Sequence, residues 1–249
     1  MTATIGTSLP GDAVIEAVPV RSEGELFDRA VRRIEVMAGL DHPHLVPLLD
    51  AGVSDGLVYA VTPLPSSTAD STEIGPMGLA AAPVLRDVAL GLRHLHRRGA
   101  LHRDVQTRHV GWYGGTVRLG GLALCDVTGD ASTCGTGPIG ALLTMAPSIV
   151  LGRRATAGAD VYGLGASLHL LATGVAVHPA VPETVPRRLR RMATEEPTVD
   201  PSLPDELRPI VSAALAADGD PDPSALDHAL TELDALVRSS PTNSSDTPV

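Results

Sequence analysis

The chain has 249 residues, a hydrophobic fraction of 43% and a formal net charge of −10 at pH 7. That length supports one large domain or two lobes around a sizeable core, and with aromatic residues at 2%, aliphatic side chains and alanine must fill it. The acidic balance argues against nucleic acid or an anionic membrane as partner, and all 19 basic residues are arginine, so no ε-amine exists to set a point charge on a phosphate.

Pro10-Gly11-Asp12 reads as a turn. Ala13 to Val20 reads as a strand, weakened at its end by Pro19. Ser22 and Glu25 have capping-box spacing. Phe27, Ala30, Val31, Ile34, Met37 and Ala38 then recur at helical spacing up to Gly39. Asp41 to His44 forms a turn, and residues 45–50 and 57–62 look like two strands joined across Gly52 to Gly56. Residues 63–76 are rich in Ser, Thr and Pro and read as a loop between lobes.

Val84, Leu85, Val88, Ala89, Leu92 and Leu95 form a second apolar helical stripe, stopped by Arg97-Arg98-Gly99. His102-Arg103-Asp104 follows, then a short apolar segment, a Gly turn and the strand-like Thr116 to Leu119. Residues 126–140 read as a polar loop, 160–174 as an apolar helix and 175–204 as a long Pro-rich connection. Residues 204–217 and 224–237 read as closing helices, and 239–249 as a disordered tail. Cys125 and Cys134 suit small buried thiols better than a disulfide or a metal site. No apolar run reaches about 18 residues, and no basic segment precedes an apolar one at the N-terminus. A soluble, cytoplasmic protein is expected.

In order and spacing these anchors resemble the eukaryotic-type Ser/Thr protein kinases of bacteria. His102-Arg103-Asp104 resembles the start of the H-R-D-L-x-x-x-N catalytic loop, Met145-Ala146-Pro147-Ser148 the A-P-E motif, and Asp160 to Gly165 the D-V-[WY]-S-[LF]-G helix start that buttresses that loop. The strand at Ala13 is similar to V-A-I-K, and the late segment LRPIVSAALAADGDPDPS to the family's closing motif. The resemblance implies an α+β, bilobal fold: a truncated β-rich N-lobe with its helix over 1–64, and a helical C-lobe over 65–238.

Residue by residue, the resemblance also implies departures. The phosphate-anchoring Lys falls on Glu16, the helix Glu that pairs with it on Arg33, and the Lys two after the catalytic Asp on Gln106. The metal-binding Asp of D-F-G falls on Gly121 and the second metal ligand on His109. The Gly-rich loop finds no counterpart. Phosphoryl transfer depends on positioning and charge neutralisation, and losing one preorganised electrostatic group costs about 10²–10³ in kcat. The expectation is therefore a degenerate member, a pseudokinase that is not an enzyme, with no cofactor, no metal and weak or absent ATP binding. His102, Arg103, Asp104, Gln106, His109 and Gly121 would be vestigial catalytic positions.

Other residues carry structural or regulatory expectations. Glu16 and Arg33 would form the family's pair with its polarity reversed, or be two solvated charges. Asp160 would hold the catalytic loop. The family's A-P-E Glu falls on Ser148 and its late Arg partner on Asp222, so both members of that pair would be lost together. Thr128, Ser132, Thr133 and Thr136 could accept phosphate, or belong to a merely polar loop. Arg187, Arg188, Arg190 and Arg191 are the basic cluster of an acidic chain, either a solvated helix face or a partner surface. His102 suits the core, and His94 and His96 point to different faces of one helix. The expected role is a regulatory or scaffolding module that binds an active kinase or a pathway enzyme. The alternative is a non-kinase enzyme or a small-molecule sensor using the cleft around Asp104.

Overall fold

A computed structural model describes residues 2–3, 12–19, 24–54, 56–70, 75–122, 126–127, 142–179 and 181–239. Ser22, Cys125, Thr128, Ser132, Thr133, Cys134 and Thr136 lie outside these residues, as does the tail from 240 onward.

The N-terminal part is built on a four-stranded antiparallel sheet. Its strands are β1 (Thr2–Ala3), β2 (Ala13–Pro19), β3 (Asp50–Ser54) and β4 (Leu57–Pro63), in the order β1-β2-β4-β3. The register sets Val14 opposite Thr62 and Glu16 opposite Ala60. The β3–β4 hairpin is tighter than its sequence suggests. Strand β3 begins at Asp50 and not at Leu45, Ser54 stands opposite Leu57, and Gly56, at φ +73°, leads into β4. Helix α1 (Glu25–Ala38) packs on this sheet through Ala30, Phe27 and Ile34, beside Val58. Its N-cap is Gly24, with φ 116° and no side-chain cap.

The C-terminal part is helical. Helix α2 (Ala81–Arg97) turns Val84, Leu85, Val88, Ala89, Leu92 and Leu95 into the core. A three-stranded sheet of β5 (Ser67–Thr68), β7 (Val110–Tyr113) and β8 (Thr116–Leu119) lies beside it, in the order β5-β7-β8. A two-stranded pair, β6 (Ala100–Leu101) with β9 (Asp126–Val127), flanks the His102 loop. Helix α3 (Pro147–Val150) is a single turn.

Helix α4 (Ala157–Thr173) is the axis of this lobe. It is apolar on every side, and each residue from 157 to 173 is buried, as expected for a helix enclosed by others. Thr156 caps its start by accepting from Ala159 N, and Gly174, at φ 74°, closes it. Helix α5 (Val185–Thr194) lies inside the stretch whose prolines suggest an open connection. Helices α6 (Arg208–Ala216) and α7 (Ser224–Ser239) complete the lobe. Helix α6 starts at 208, four residues later than the sequence suggests, with Pro209 in its first turn.

Candidate functional site

The cleft between the sheet of β2 and β4 and the loop after β6 is a cavity of about 150 Å³. Val14, Glu16 and Thr62 form one wall; Arg108, His109 and Gly121 form the other.

Asp160 organises the catalytic-loop positions from below. Its Oδ1 accepts the Arg103 N–H at 2.7 Å, and its Oδ2 accepts the His102 N–H at 2.8 Å. The same Oδ2 lies 2.8 Å from His96 Nε2. Asp160 is 2% exposed, yet these contacts hold its carboxyl below the usual carboxylate range despite the burial. The backbone pays attention to this anchor: Arg103 is the one non-glycine residue with positive φ among those described, at 69°. His102 is fully buried, and its Nε2 donates to Gly120 O at 2.7 Å while its Nδ1 accepts from Asp104 N at 3.2 Å. Burial pushes this imidazole's pKa down, so it is neutral core.

Asp104 stands at the mouth of the loop. Gln106 Nε2 donates to its Oδ1 at 2.5 Å, and Arg108 Nη2 lies 3.4 Å from its Oδ2. Burial raises the Asp104 pKa, opposed by His102 and Arg108. Gln106 is itself buried, at 3% exposure.

The two positions to which the resemblance assigns the metal ligands, 109 and 121, pack against each other. Gly121 has φ +70°, and a Cβ built there would fall on the imidazole of His109. His109 Nδ1 donates to Asp104 O at 2.9 Å, and burial lowers its pKa to about 4. A neutral ring therefore fills the space into which a side chain at 121 would begin. A divalent cation needs hard oxygen ligands, and neither position offers one. The residues at these two positions do not fit a magnesium nucleotide held in the family's manner.

Glu16 faces the cleft from β2. Burial raises its pKa, and the positive charges of Arg33 and then Arg108 oppose that rise. Arg33 and Arg108 are thus the two cations that act on Glu16. Arg108 is the cleft residue that sequence comparison passes over, because it occupies a position for which the family motif prescribes no residue. Its place on the 3₁₀ turn Thr107–His109, four residues after Asp104, was the available signal. The linker wall offers few donors. Pro63 and Pro65 have no N–H, Leu64 N donates to Asp12 O at 3.0 Å, and Ser66 N donates to Trp112 O at 2.9 Å.

The arginine cluster of α5 does not present one face. Arg188 is 6% exposed, with Nη2 3.5 Å from His178 O. Arg191 pairs with Glu183 at 2.8 Å and donates to Pro179 O. Arg187 and Arg190 remain exposed.

A strand-rich lobe over a helical lobe, with an Asp160-anchored His-Arg-Asp loop at their junction, defines a protein-kinase-like scaffold. The chain belongs to the protein kinase family: the family model described as Protein kinase domain matches residues 13–228. It is 32% identical over 235 residues to the serine/threonine-protein kinase PkaB of Streptomyces coelicolor, covering 86% of this chain and 55% of that protein. It is 30% identical over 179 residues to PknJ of Mycobacterium tuberculosis, covering 68% of this chain and 30% of PknJ. It is 28% identical over 223 residues to the DNA damage-responsive kinase RqkA of Deinococcus radiodurans, covering 84% of this chain and 33% of RqkA. The chain thus spans about a third to about half of these relatives. The expectation that the chain is not an enzyme is corrected here: a protein kinase domain spanning most of its length, and relatives named as serine/threonine kinases, point to an enzyme. Among the described residues, no helix is long and apolar enough to cross a membrane.

Proposed function

We propose that this member of the protein kinase family acts as a regulatory module, recognising a protein partner, such as another kinase or a pathway enzyme, through a scaffold held in one shape. The observation that carries the reading is the His109–Gly121 packing. It packs a neutral ring against Gly121 on one wall of the cleft, so protein contacts support the conformation of the loop there. Weak ATP binding is part of this reading: Glu16 on the opposite wall sets a carboxyl in the cleft, offset in part by Arg108.

The test measures a partner's activity with and without this chain. Activity that changes on adding the chain, and changes equally with Asp104→Asn, supports regulation by binding. A thermal shift of several degrees with ATP and magnesium would count against weak nucleotide binding.

A second reading is favoured by Asp104 itself. Its carboxyl is raised by burial and gripped by Gln106 and Arg108, an environment suited to proton transfer. Under that reading Asp104→Ala abolishes a measured pathway activity while the melting temperature holds.

A further inference from the structure

The segment between α1 and β3 crosses one side of α2 and meets it at three successive turns. Gly91 admits the segment's backbone: a Cβ at that position would stand 2.6 Å from His44 O. One turn on, the ring of His94 lies beside that of His42, with centroids 5.0 Å apart. At the end of α2, Arg98 Nη1 donates to Gly39 O at 2.9 Å, and Gly39 is the C-cap of α1. Positions 91, 94 and 98 fall on one side of a helix by their spacing. The segment is therefore a joint. It fixes the end of α1, the helix whose Arg33 acts on Glu16, to the helical part of the chain.

Three imidazoles meet in this joint. The His42 ring centroid is 5.6 Å from that of His44, besides its 5.0 Å to His94. His44 N donates to His42 Nδ1 at 3.2 Å, so that nitrogen is an acceptor and the neutral ring carries its hydrogen on Nε2. His44 Nδ1 donates to Val117 O of β8 at 2.9 Å and lies 3.7 Å from Asp87 Oδ2 of α2. His94 Nε2 is buried with no partner among the described residues. Of the other charges around His42, Arg93 of α2 acts against a proton there, and Asp41 of its own segment acts for one. Burial, His94, His44 and Arg93 together push the His42 pKa down.

These contacts suit neutral rings. A proton on His42 Nδ1 would set two N–H donors against each other and break the bond from His44 N. A protonated His94 would bury an N–H at Nε2 that has no acceptor. With both rings charged, two like charges would stand about 5 Å apart, which even in bulk water shifts an equilibrium about fourfold. Losing one hydrogen bond adds roughly two- to tenfold.

We propose that this joint is an acid-sensitive latch: protonation of His42 and His94 releases the segment 39–44 from α2, and with it the end of α1, while the helical part keeps its fold. The released segment binds the proton more readily than the docked one. The latch is therefore closed above the ordinary imidazole range and opens as the pH falls through it. Opening would loosen the arrangement of Arg33 and Glu16. The latch does not depend on the regulatory role proposed above.

The experiment follows amide hydrogen exchange in the full chain between pH 7.5 and 5.5, corrected for the intrinsic effect of pH on exchange. The reporters are Leu45 N–H, bonded to His42 O, and Leu119 N–H, bonded to His44 O. Their opening should become about tenfold more frequent across that range, and they should exchange faster than the amides of α4 throughout. His42→Asn keeps an acceptor for His44 N without a titrating ring, and His94→Phe keeps a ring without a charge. Each should flatten the pH dependence, and the two together should abolish it. His109→Gln, in the cleft, should leave it unchanged. Reporter opening that does not vary with pH in the parent, or that varies as much in His42→Asn as in the parent, overturns the proposal. Reporters that never exchange faster than α4 also overturn it, since only unfolding of the whole chain would then expose them.

Discussion

Asp218 takes both hydrogen-bond donors of Ser148, the backbone N–H at 2.8 Å and the hydroxyl at 2.5 Å. These residues are 70 positions apart, and the contact ties the short helix α3 to the loop after α6. Family resemblance places the partner of position 148 at Asp222, with both members of the pair lost. The structure corrects that. The tie is kept in another chemistry, four residues earlier, while Asp222 accepts from Ser224 N at the start of α7. A carboxylate with two donors replaces an ion pair and leaves no buried charge without a partner.

Ser148→Ala should therefore destabilise the chain by about 1–3 kcal/mol, because it removes one donor from a carboxylate that is partly enclosed. Asp218→Ala should cost a similar amount. The double variant should cost clearly less than the sum, with the coupling read from denaturant melts of all four proteins. Additive losses would show that the two side chains act separately.

Gly121 and His109 make a second linked pair. Gly121→Asp restores the family residue but drives a Cβ into the imidazole, at a backbone angle that disfavours any side chain. A loss of about 1–3 kcal/mol is expected for the overpacking, with backbone strain added. His109→Asn empties that space, so the double variant should recover much of the loss. A chemical denaturation series decides it; no recovery would mean that the ring is not what blocks position 121.

These pairs show where the sequence is legible. The helix α2 and the helix α4 follow from apolar spacing, and Asp160, His102 and Asp104 take their places because the motif fixes each relative to the loop. What stays hidden is compensation between distant positions. Nothing in the sequence says that the ring of His109 lies in the space of residue 121, or that Asp218 replaces Asp222. Both depend on packing distances that spacing does not encode. The helix α5 is hidden for a local reason: prolines at 182 and 186 suggest a loop, yet Pro186 sits in the first turn, where its missing N–H costs nothing. The arginines there looked like one patch, but the helix turns Arg188 inward.

Glu16 tests the charge arrangement of the cleft. Glu16→Arg would face the positive charges of Arg33 and Arg108, so it should be less stable than the parent by more than Glu16→Gln is. Adding Arg33→Glu should restore only part of the loss, since Arg108 still opposes the new cation. Adding Arg108→Gln as well should bring stability closer to the parent. Full rescue by Arg33→Glu alone would show that Arg108 does not act on this position. Thermal melts at low and high salt would also separate the charges from packing, because screening weakens the repulsion.

Acid should weaken the fold through its histidines. The pKa of His109 falls from 6.5 to about 4 in the folded chain. Burial also lowers those of His42, His102, His169 and His178. A lowered imidazole pKa means that the unfolded chain binds the extra proton first. Stability is therefore full above pH 6.5, falls as the pH drops below that, and levels for His109 near pH 4 once the folded ring also protonates. For His109 alone the drop corresponds to roughly 3 kcal/mol across that window. His109→Gln should flatten part of the slope between pH 6.5 and 4, while the parent loses stability steadily. Urea denaturation at half-unit pH steps measures both curves. Parallel curves would mean that His109 is not held neutral by its burial, and that the acid sensitivity belongs to the other four rings.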